Sequence, residues 1–214
     1  MSLQDHQLFY RRNLPHFQPE SATLFVTMRL QGTIPKRVLL DWHEAWQLKK
    51  SEISKVDDET LLPARLYDEW KRQFGKMDRY LDYAHYGPTW LKTPEIADLV
   101  ANAFHHFDDI RYRLDAFSIL SNHAHVVLSP LTKADGTPFA LKSIMHSIKS
   151  FTAGKANAIL NRSGETFWQG ESYDHVVRDA AGWRGIIAYV LNNPVKAQLV
   201  ENWDDWPWTY CKYR

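Results

Sequence analysis

Two stretches rich in β-branched and aromatic residues, 111–120 and 123–129, are separated only by Ser121 and Asn122. A two-residue connection of this composition is typical of a tight turn between antiparallel strands. The sequence therefore predicts a β-hairpin, and the remaining elements must be arranged around it.

Two histidines, His123 and His125, open the second arm of this hairpin in an otherwise apolar run. Side chains alternate between the faces of a strand, so both imidazoles share one face, about 6 to 7 Å apart along the backbone. Imidazole is a ligand for most first-row transition metals, and a β-branched strand otherwise favours apolar residues at such positions. The pair predicts a metal site; the alternative is two half-buried polar residues of a strand.

The rest of the chain alternates between strand-like and helix-like patterns. Residues 22–30 predict a first strand, because they are β-branched and aromatic and follow a proline-containing loop. Apolar residues spaced by three and four predict helices over 37–50, 94–107 with Thr93 as N-cap, 139–160, and 180–192 ending before Pro194. Two short extended segments, 166–169 and 173–178, precede the last helix. Residues 51–93 are predicted to be an insertion containing a helical piece near 64–74.

This order of elements predicts an α+β fold. We expect a ferredoxin-like antiparallel sheet with helices packed on one face, plus the helical insertion. The 214 residues suffice for one well-buried core and are few for two independent domains, so a single domain over 1–214 is predicted.

Composition excludes several classes of protein. Hydrophobic residues make up 44% and charged residues 24% of the chain, as in ordinary globular proteins. No apolar run approaches the about 20 residues of a membrane span, and the first residues lack the apolar core of a signal peptide. The single cysteine, Cys211, cannot form an internal disulfide, which fits a reducing compartment. We therefore expect a cytoplasmic protein without membrane association.

Positive charge is concentrated on the predicted helix 139–160. Lys142, Lys149, Lys155 and Arg162 lie between residues 139 and 162, where there is no Asp or Glu. Lys142, His146 and Lys149 follow an i, i+4, i+7 spacing and form one stripe. Such a stripe either binds phosphate groups or is a solvated helix face.

The last predicted helix offers a group that a strand-borne metal can meet. Its apolar stripe, which predicts a core face, consists of Trp183, Ile186, Ile187 and Val190. Tyr189 and Asn193 are four residues apart and neighbour each other on one flank of that stripe. The phenol is then reachable at the edge of the core; the alternative is a tyrosine packed at a helix edge with its hydroxyl in water.

Several short segments together resemble one known family, the REP-associated tyrosine transposases, relatives of the single-tyrosine HUH transposases of small insertion sequences. The matching segments are residues 11–16 (RRNLPH), 24–30 (LFVTMRL), 122–125 (NHAH), 167–169 (FWQ), 173–175 (YDH), 189–197 (YVLNNPVKA) and 206–208 (WPW). They cover most of the chain. The set is specific to this family, although no one segment is.

The resemblance implies roles for four residues. The histidine pair of this family holds a divalent metal, a tyrosine on a later helix attacks the phosphodiester, and the residue four positions after that tyrosine completes the metal site. By position these roles fall on His123, His125, Tyr189 and Asn193. Insertion-sequence relatives usually have Gln where this chain has Asn193.

The implied function is metal-dependent cleavage and strand transfer of single-stranded or hairpin DNA through a covalent 5′-phosphotyrosine. An unperturbed tyrosine has a pKa of about 10, so a cation or base must favour the phenolate. Mg²⁺ or Mn²⁺ is the expected metal, and REP-like palindromes are the expected substrate. The expected protein is a prokaryotic, nucleoid-associated enzyme, either a monomer or a homodimer. DNA backbone contacts are assigned to Lys142, Lys149, Lys155 and Arg178.

Three alternatives remain open at this stage. Tyr173, next to Asp174 and His175, is a rival nucleophile. A histidine-triad nucleotide hydrolase needs a third histidine, and Val127 occupies that position. A non-catalytic protein that binds DNA hairpins requires none of this chemistry.

Overall fold

The computed structural model describes residues 9–11, 15–17, 22–55, 59–83 and 86–213. Residues 12–14, which belong to the resembling segment 11–16, lie outside the described residues, as do 56–58 and 84–85 of the predicted insertion. The chain divides into two compact units. One contains the described residues up to Gln31 and from Thr89 onward, and the other is Gly32–Pro88.

The first unit contains all described strands and three helices. In chain order its elements are β1 (Phe9–Arg11), β2 (Pro15–Phe17), β3 (Thr23–Arg29), α3 (Pro94–His106), β4 (Tyr112–Ile119), β5 (His123–Pro130), α4 (Leu141–Ile159), β6 (Tyr173–Val177), α5 (Ala180–Lys196) and β7 (Thr209–Cys211). The second unit contains α1 (Lys36–Ile53) and α2 (Leu62–Asp82).

Five of the strands form one antiparallel sheet in the order β6-β3-β5-β4-β7, and β1 pairs separately with β2. The predicted hairpin is β4 and β5, closed by a hydrogen bond from the Leu120 amide to the His123 carbonyl at 2.9 Å. The prediction of an α+β fold with an antiparallel sheet is confirmed.

The two faces of the sheet have different side chains. On one face, alternate residues of β3 and β5, such as Val26 and Val126, join a hydrophobic core with α3 and α4. On the other face, Phe25 and His125 contact Tyr189 of α5. The expectation of helices on one face holds for α3 and α4, but α5 covers the opposite face. Strand β5 is buried at every position, which requires both of its faces to be covered.

Helix α5 is longer than the sequence predicted. The predicted end at residue 192 is wrong, because Pro194 lies inside the helix, which ends at Lys196. Pro194 has no amide hydrogen to donate to the carbonyl four residues earlier, and its ring crowds that carbonyl, yet the helix continues to Lys196. The turn is closed by bonds from Ala197 to Asn193 and from Leu199 to Pro194, both 2.9 Å. Asn193 is therefore helical and lies one turn after Tyr189.

The second unit is a pair of helices. Helix α1 matches the prediction for 37–50, and α2 extends well beyond the predicted piece at 64–74. The rings of Trp42 and Tyr80 meet edge to face at 5.7 Å, and the Lys76 ammonium lies 5.2 Å from the Trp42 ring. This unit begins at Gly32, so it includes α1 as well as residues of the predicted insertion. Of the described helices, none has the length and apolar character needed to cross a membrane.

Strand β4 and helix α5 are joined by Asp115, which is fully buried on β4. Its carboxylate accepts hydrogen bonds from the Trp183 indole of α5 at 2.8 Å, from Arg113 at 3.2 Å and from Tyr213 at 3.4 Å. This contact fixes the first turns of α5 against the sheet.

We predict that Asp115→Ala destabilises the protein, because it leaves the Trp183 donor without its acceptor at a cost of about 1–3 kcal/mol. The free energy of unfolding in urea measures the effect, with Asp205→Ala, at an exposed position, as the control. Equal stability of the two variants would contradict the assigned role of Asp115.

Candidate metal centre

The face of the sheet under α5 carries a row of polar side chains. In the register, His125 lies opposite Thr27 on one side and opposite Ser118 on the other. The row continues to Tyr173 and Thr209 at the outer strands. All five of these residues are buried, whereas the opposite face of the sheet carries buried apolar residues such as Val126. The strands therefore bring polar groups from distant parts of the sequence together.

Both imidazoles are oriented by hydrogen bonds at Nδ1. His125 Nδ1 lies 2.8 Å from the Thr27 hydroxyl, and His123 Nδ1 lies 2.7 Å from the Asn122 side-chain oxygen. An amide oxygen only accepts, so His123 donates from Nδ1, and the neutral ring then has a lone pair on Nε2. The two Nε2 atoms point at each other and lie 3.2 Å apart.

This separation fits two ligands of one metal ion. With metal–nitrogen bonds of about 2.1 Å, adjacent ligand nitrogens are about 3.0 Å apart in octahedral geometry and about 3.4 Å apart in tetrahedral geometry. The observed 3.2 Å lies between these values. Hydrogen bonds to the second ring nitrogen are the usual support of metal-binding histidines. The distance between the two buried Nε2 atoms is therefore compatible with one shared metal ion.

Asn193 presents a buried amide on the helix that covers this face. Its side chain is fully buried, and neither amide atom has a hydrogen-bond partner among the described residues. A buried polar group in that state costs about 1–3 kcal/mol. Asn193 is one helical turn from Tyr189, which contacts His125, so its amide belongs to the part of α5 that packs near the histidine pair.

Tyr189 lies directly beside the histidine pair. Its ring centroid is 5.7 Å from that of His125 and 5.9 Å from that of Phe25, which itself stacks on His125 at 5.3 Å. The ammonium group of Lys196 lies 5.3 Å from the Tyr189 ring centroid. A half-buried phenol is thus placed next to the candidate metal ligands and near a positive charge.

The rival tyrosine, Tyr173, faces the same side of the sheet from a strand that is two strands away from the histidines. It lies opposite Thr27, which separates it from His125 by two strand spacings, about 9 to 10 Å. It is also buried, with 7% of its surface exposed. His175 lies opposite Phe25 on the same strand and is half-buried.

The basic residues predicted to bind DNA do not form one surface. Lys142, Lys155 and Arg178 are exposed. Lys155 follows Lys142 by 13 positions and so lies about 140° around α4 from it, outside the stripe of Lys142, His146 and Lys149. Lys149 is half-buried and donates hydrogen bonds to the carbonyls of Gln169 at 2.8 Å and Gly170 at 3.3 Å. Its ammonium group therefore holds a loop.

A groove borders α4. Its volume is about 440 Å³, and Lys142, His146 and Lys149 line it on the helix side. Residues 165–172, which include the loop held by Lys149, line it on the other side. Of its lining residues, Lys142 and His146 are exposed.

The sequence interpretation missed Thr27, Arg29 and Lys196. Thr27 and Arg29 alternate with buried apolar residues of β3, and this period-two pattern is the signal that places them on one face. That this face is also the face of the histidines depends on the pairing of β3 with β5, which no local pattern contains. Lys196 was missed because the helix was expected to end before it.

The sequence similarity of this chain to known proteins is partial. No protein-family model matches the sequence. An uncharacterized protein of Haemophilus influenzae is 27% identical over 99 residues, which cover 39% of this chain and 54% of the relative. The chain therefore spans about half the length of that relative.

Among solved structures, the chain is similar to a REP-associated tyrosine transposase bound to a REP hairpin. The TM-score is 0.52 at 17% identity, over 94% of this chain and 80% of the other. At this identity the likeness shows a shared fold.

We predict that Thr27→Val weakens metal binding about 10- to 100-fold, because the hydrogen bond that orients His125 is lost. Titration with Mn²⁺, followed by calorimetry, measures the affinity. Thr23→Val is the matched control, since Thr23 is on the same strand and its hydroxyl bonds to Ser129 at 2.8 Å. Equal affinities of the two variants would show that Thr27 does not orient a ligand.

For Asn193→Leu we predict two opposite effects. An apolar side chain of similar shape removes the unsatisfied amide, so the free energy of unfolding without metal is unchanged or higher. Loss of the amide oxygen weakens Mn²⁺ binding in the same titration. A variant that binds Mn²⁺ as tightly as the wild type would exclude Asn193 as a ligand.

Proposed function

We propose that this protein is a metal-dependent DNA strand transferase of the REP-associated tyrosine transposase type. It cleaves single-stranded or hairpin DNA, such as REP-like palindromes, through a covalent 5′-phosphotyrosine. The observation that carries the proposal is the contact between Tyr189 and His125, with ring centroids 5.7 Å apart. The fold shared with a transposase bound to a REP hairpin supports the choice of substrate.

Tyr189 is the proposed nucleophile. Its hydroxyl oxygen attacks phosphorus, the bond from phosphorus to the 3′ oxygen of the preceding nucleotide breaks, and that oxygen takes up a proton as the phenol loses its own. One strand end then carries a free 3′-OH, and the other is attached to the protein through its 5′ phosphate. The positive charge of Lys196 lies near the ring and favours the developing phenolate.

His123, His125 and Asn193 are the proposed ligands of a divalent ion, Mg²⁺ or Mn²⁺. When bound, the ion neutralises phosphate charge and orients the scissile bond. Thr27 and Asn122 keep the two imidazoles in the ligand orientation through their Nδ1 contacts. Phe25 is buried and stacks on His125, which shields one face of this imidazole from water.

DNA binding is assigned to exposed basic residues. We propose that Lys142 and Arg178 contact the backbone directly, and that Lys155 contacts DNA passing another side of α4. Lys149 contributes indirectly, because its hydrogen bonds to the carbonyls of Gln169 and Gly170 hold the loop that lines the groove. The proposed enzyme acts in the cytoplasm at the nucleoid, as a single HUH domain over 1–214 and as a monomer or homodimer.

We predict that a covalent adduct forms when the protein is incubated with hairpin oligonucleotides bearing single-stranded flanks and Mn²⁺. A label at the 3′ end should remain with the protein in denaturing gels, and a label at the 5′ end should leave on a fragment with a 3′-OH. Tyr189→Phe should abolish the adduct, and Tyr173→Phe should retain it.

The same experiment separates the alternatives. An adduct lost only in Tyr173→Phe would assign the nucleophile to Tyr173. Hairpin binding by the wild type without an adduct in Mg²⁺ or Mn²⁺ would identify a non-catalytic hairpin-binding protein instead.

A further inference from the structure

Arg29 lies on β3 directly opposite His123 of β5. Residues paired in this way share a face of the sheet, with Cβ atoms about 4.5–5.5 Å apart. The Arg29 side chain therefore emerges on the same face as both histidines. Only 8% of its surface is exposed, so most of this charged residue is buried on the face of the candidate metal centre.

A buried guanidinium requires an anionic partner. Burial lowers the pKa of Arg29 to about 10, while the nearby carboxylate of Glu171 raises it, so the side chain is still a cation at neutral pH. Removing a charge from water is costly unless an opposite charge compensates it. The carboxylate of Glu171 contributes such a charge, because it raises the pKa of Arg29.

Glu171 is carried by a loop that is fixed at two points. The Gln169 amide donates to the Arg29 carbonyl at 2.9 Å, which ties the start of the loop to β3. The Lys149 ammonium holds the carbonyls of Gln169 and Gly170 from α4. Glu171 itself lies at the wall of the groove and is half-buried. Its carboxylate can therefore move away from Arg29 while the loop stays in place.

We propose that Arg29 binds a non-bridging oxygen of a DNA phosphate at the metal centre, and that Glu171 is the anion this phosphate replaces. The proposal rests on the proposed function, because it takes DNA as the ligand of this face. The planar guanidinium matches the paired oxygens of a phosphate, which suits this position better than a lysine would.

The test is the binding of hairpins in which one phosphate at a time is replaced by an uncharged methylphosphonate. All variants carry Tyr189→Phe, so that binding is measured without cleavage. With Arg29 present, at least one position should weaken binding about 10-fold or more. In Arg29→Gln, natural hairpins should bind about 10-fold more weakly, and the replacement at that position should cause no additional loss.

Glu171→Gln distinguishes a phosphate site from an internal ion pair. If Glu171 competes with the phosphate, this variant should bind the natural hairpin as tightly as its parent or more tightly. Equal losses in Glu171→Gln and Arg29→Gln would overturn the proposal, as would an Arg29→Gln variant that retains the full sensitivity at every methylphosphonate position. Far-ultraviolet circular dichroism and the midpoint of thermal unfolding, compared with those of the parent, show that each variant is folded.

Failure of the proposed function has a different signature. If the wild type forms no adduct but one methylphosphonate position still depends on Arg29, strand transfer is excluded and the phosphate site stands. If the wild type forms the adduct but the effect of no methylphosphonate replacement depends on Arg29, the strand-transfer function is supported and the proposed role of Arg29 is wrong.

Discussion

The register between β3 and β5 determines where the polar side chains of β3 lie relative to the two histidines. It places Thr27 opposite His125 and Arg29 opposite His123, on the face covered by α5. A shift by one residue would turn the histidines toward the hydrophobic core and Val126 toward the polar face. The apolar alternation on the core side, with Val26 and Met28 fully buried, prevents such a shift. The hydrophobic core thereby fixes the metal geometry on the other face.

Helix α5 carries Tyr189 and Asn193, the other residues of the candidate site. Asp115 anchors its first turns through Trp183, and the ring of Tyr189 then packs against His125 and Phe25. The helix continues past Pro194, so Asn193 is still helical and lies one turn after Tyr189. A buried amide without a partner destabilises the protein, and retaining it is expected where a ligand compensates that cost.

Local periodicity was sufficient to predict several parts of this arrangement. The hairpin, the shared face of His123 and His125, and the common flank of Tyr189 and Asn193 follow from residue spacing alone. The position of α5 on the second face, the loop contacts of Lys149 and the pairing of Arg29 with His123 depend on which strands become neighbours. Such pairings join residues far apart in sequence, so no window of the chain contains them. The helix end was mispredicted because the bonds of Ala197 and Leu199 compensate for Pro194.

The central claim is that the histidine pair holds a metal ion beside Tyr189. The most direct measurement is anomalous diffraction at the manganese edge from crystals of the protein grown with Mn²⁺. We predict one strong peak within bonding distance of both Nε2 atoms, about 2.1–2.3 Å, on the side facing α5. A difference map with no peak there, and with the two imidazoles hydrogen-bonded directly to each other, would contradict it.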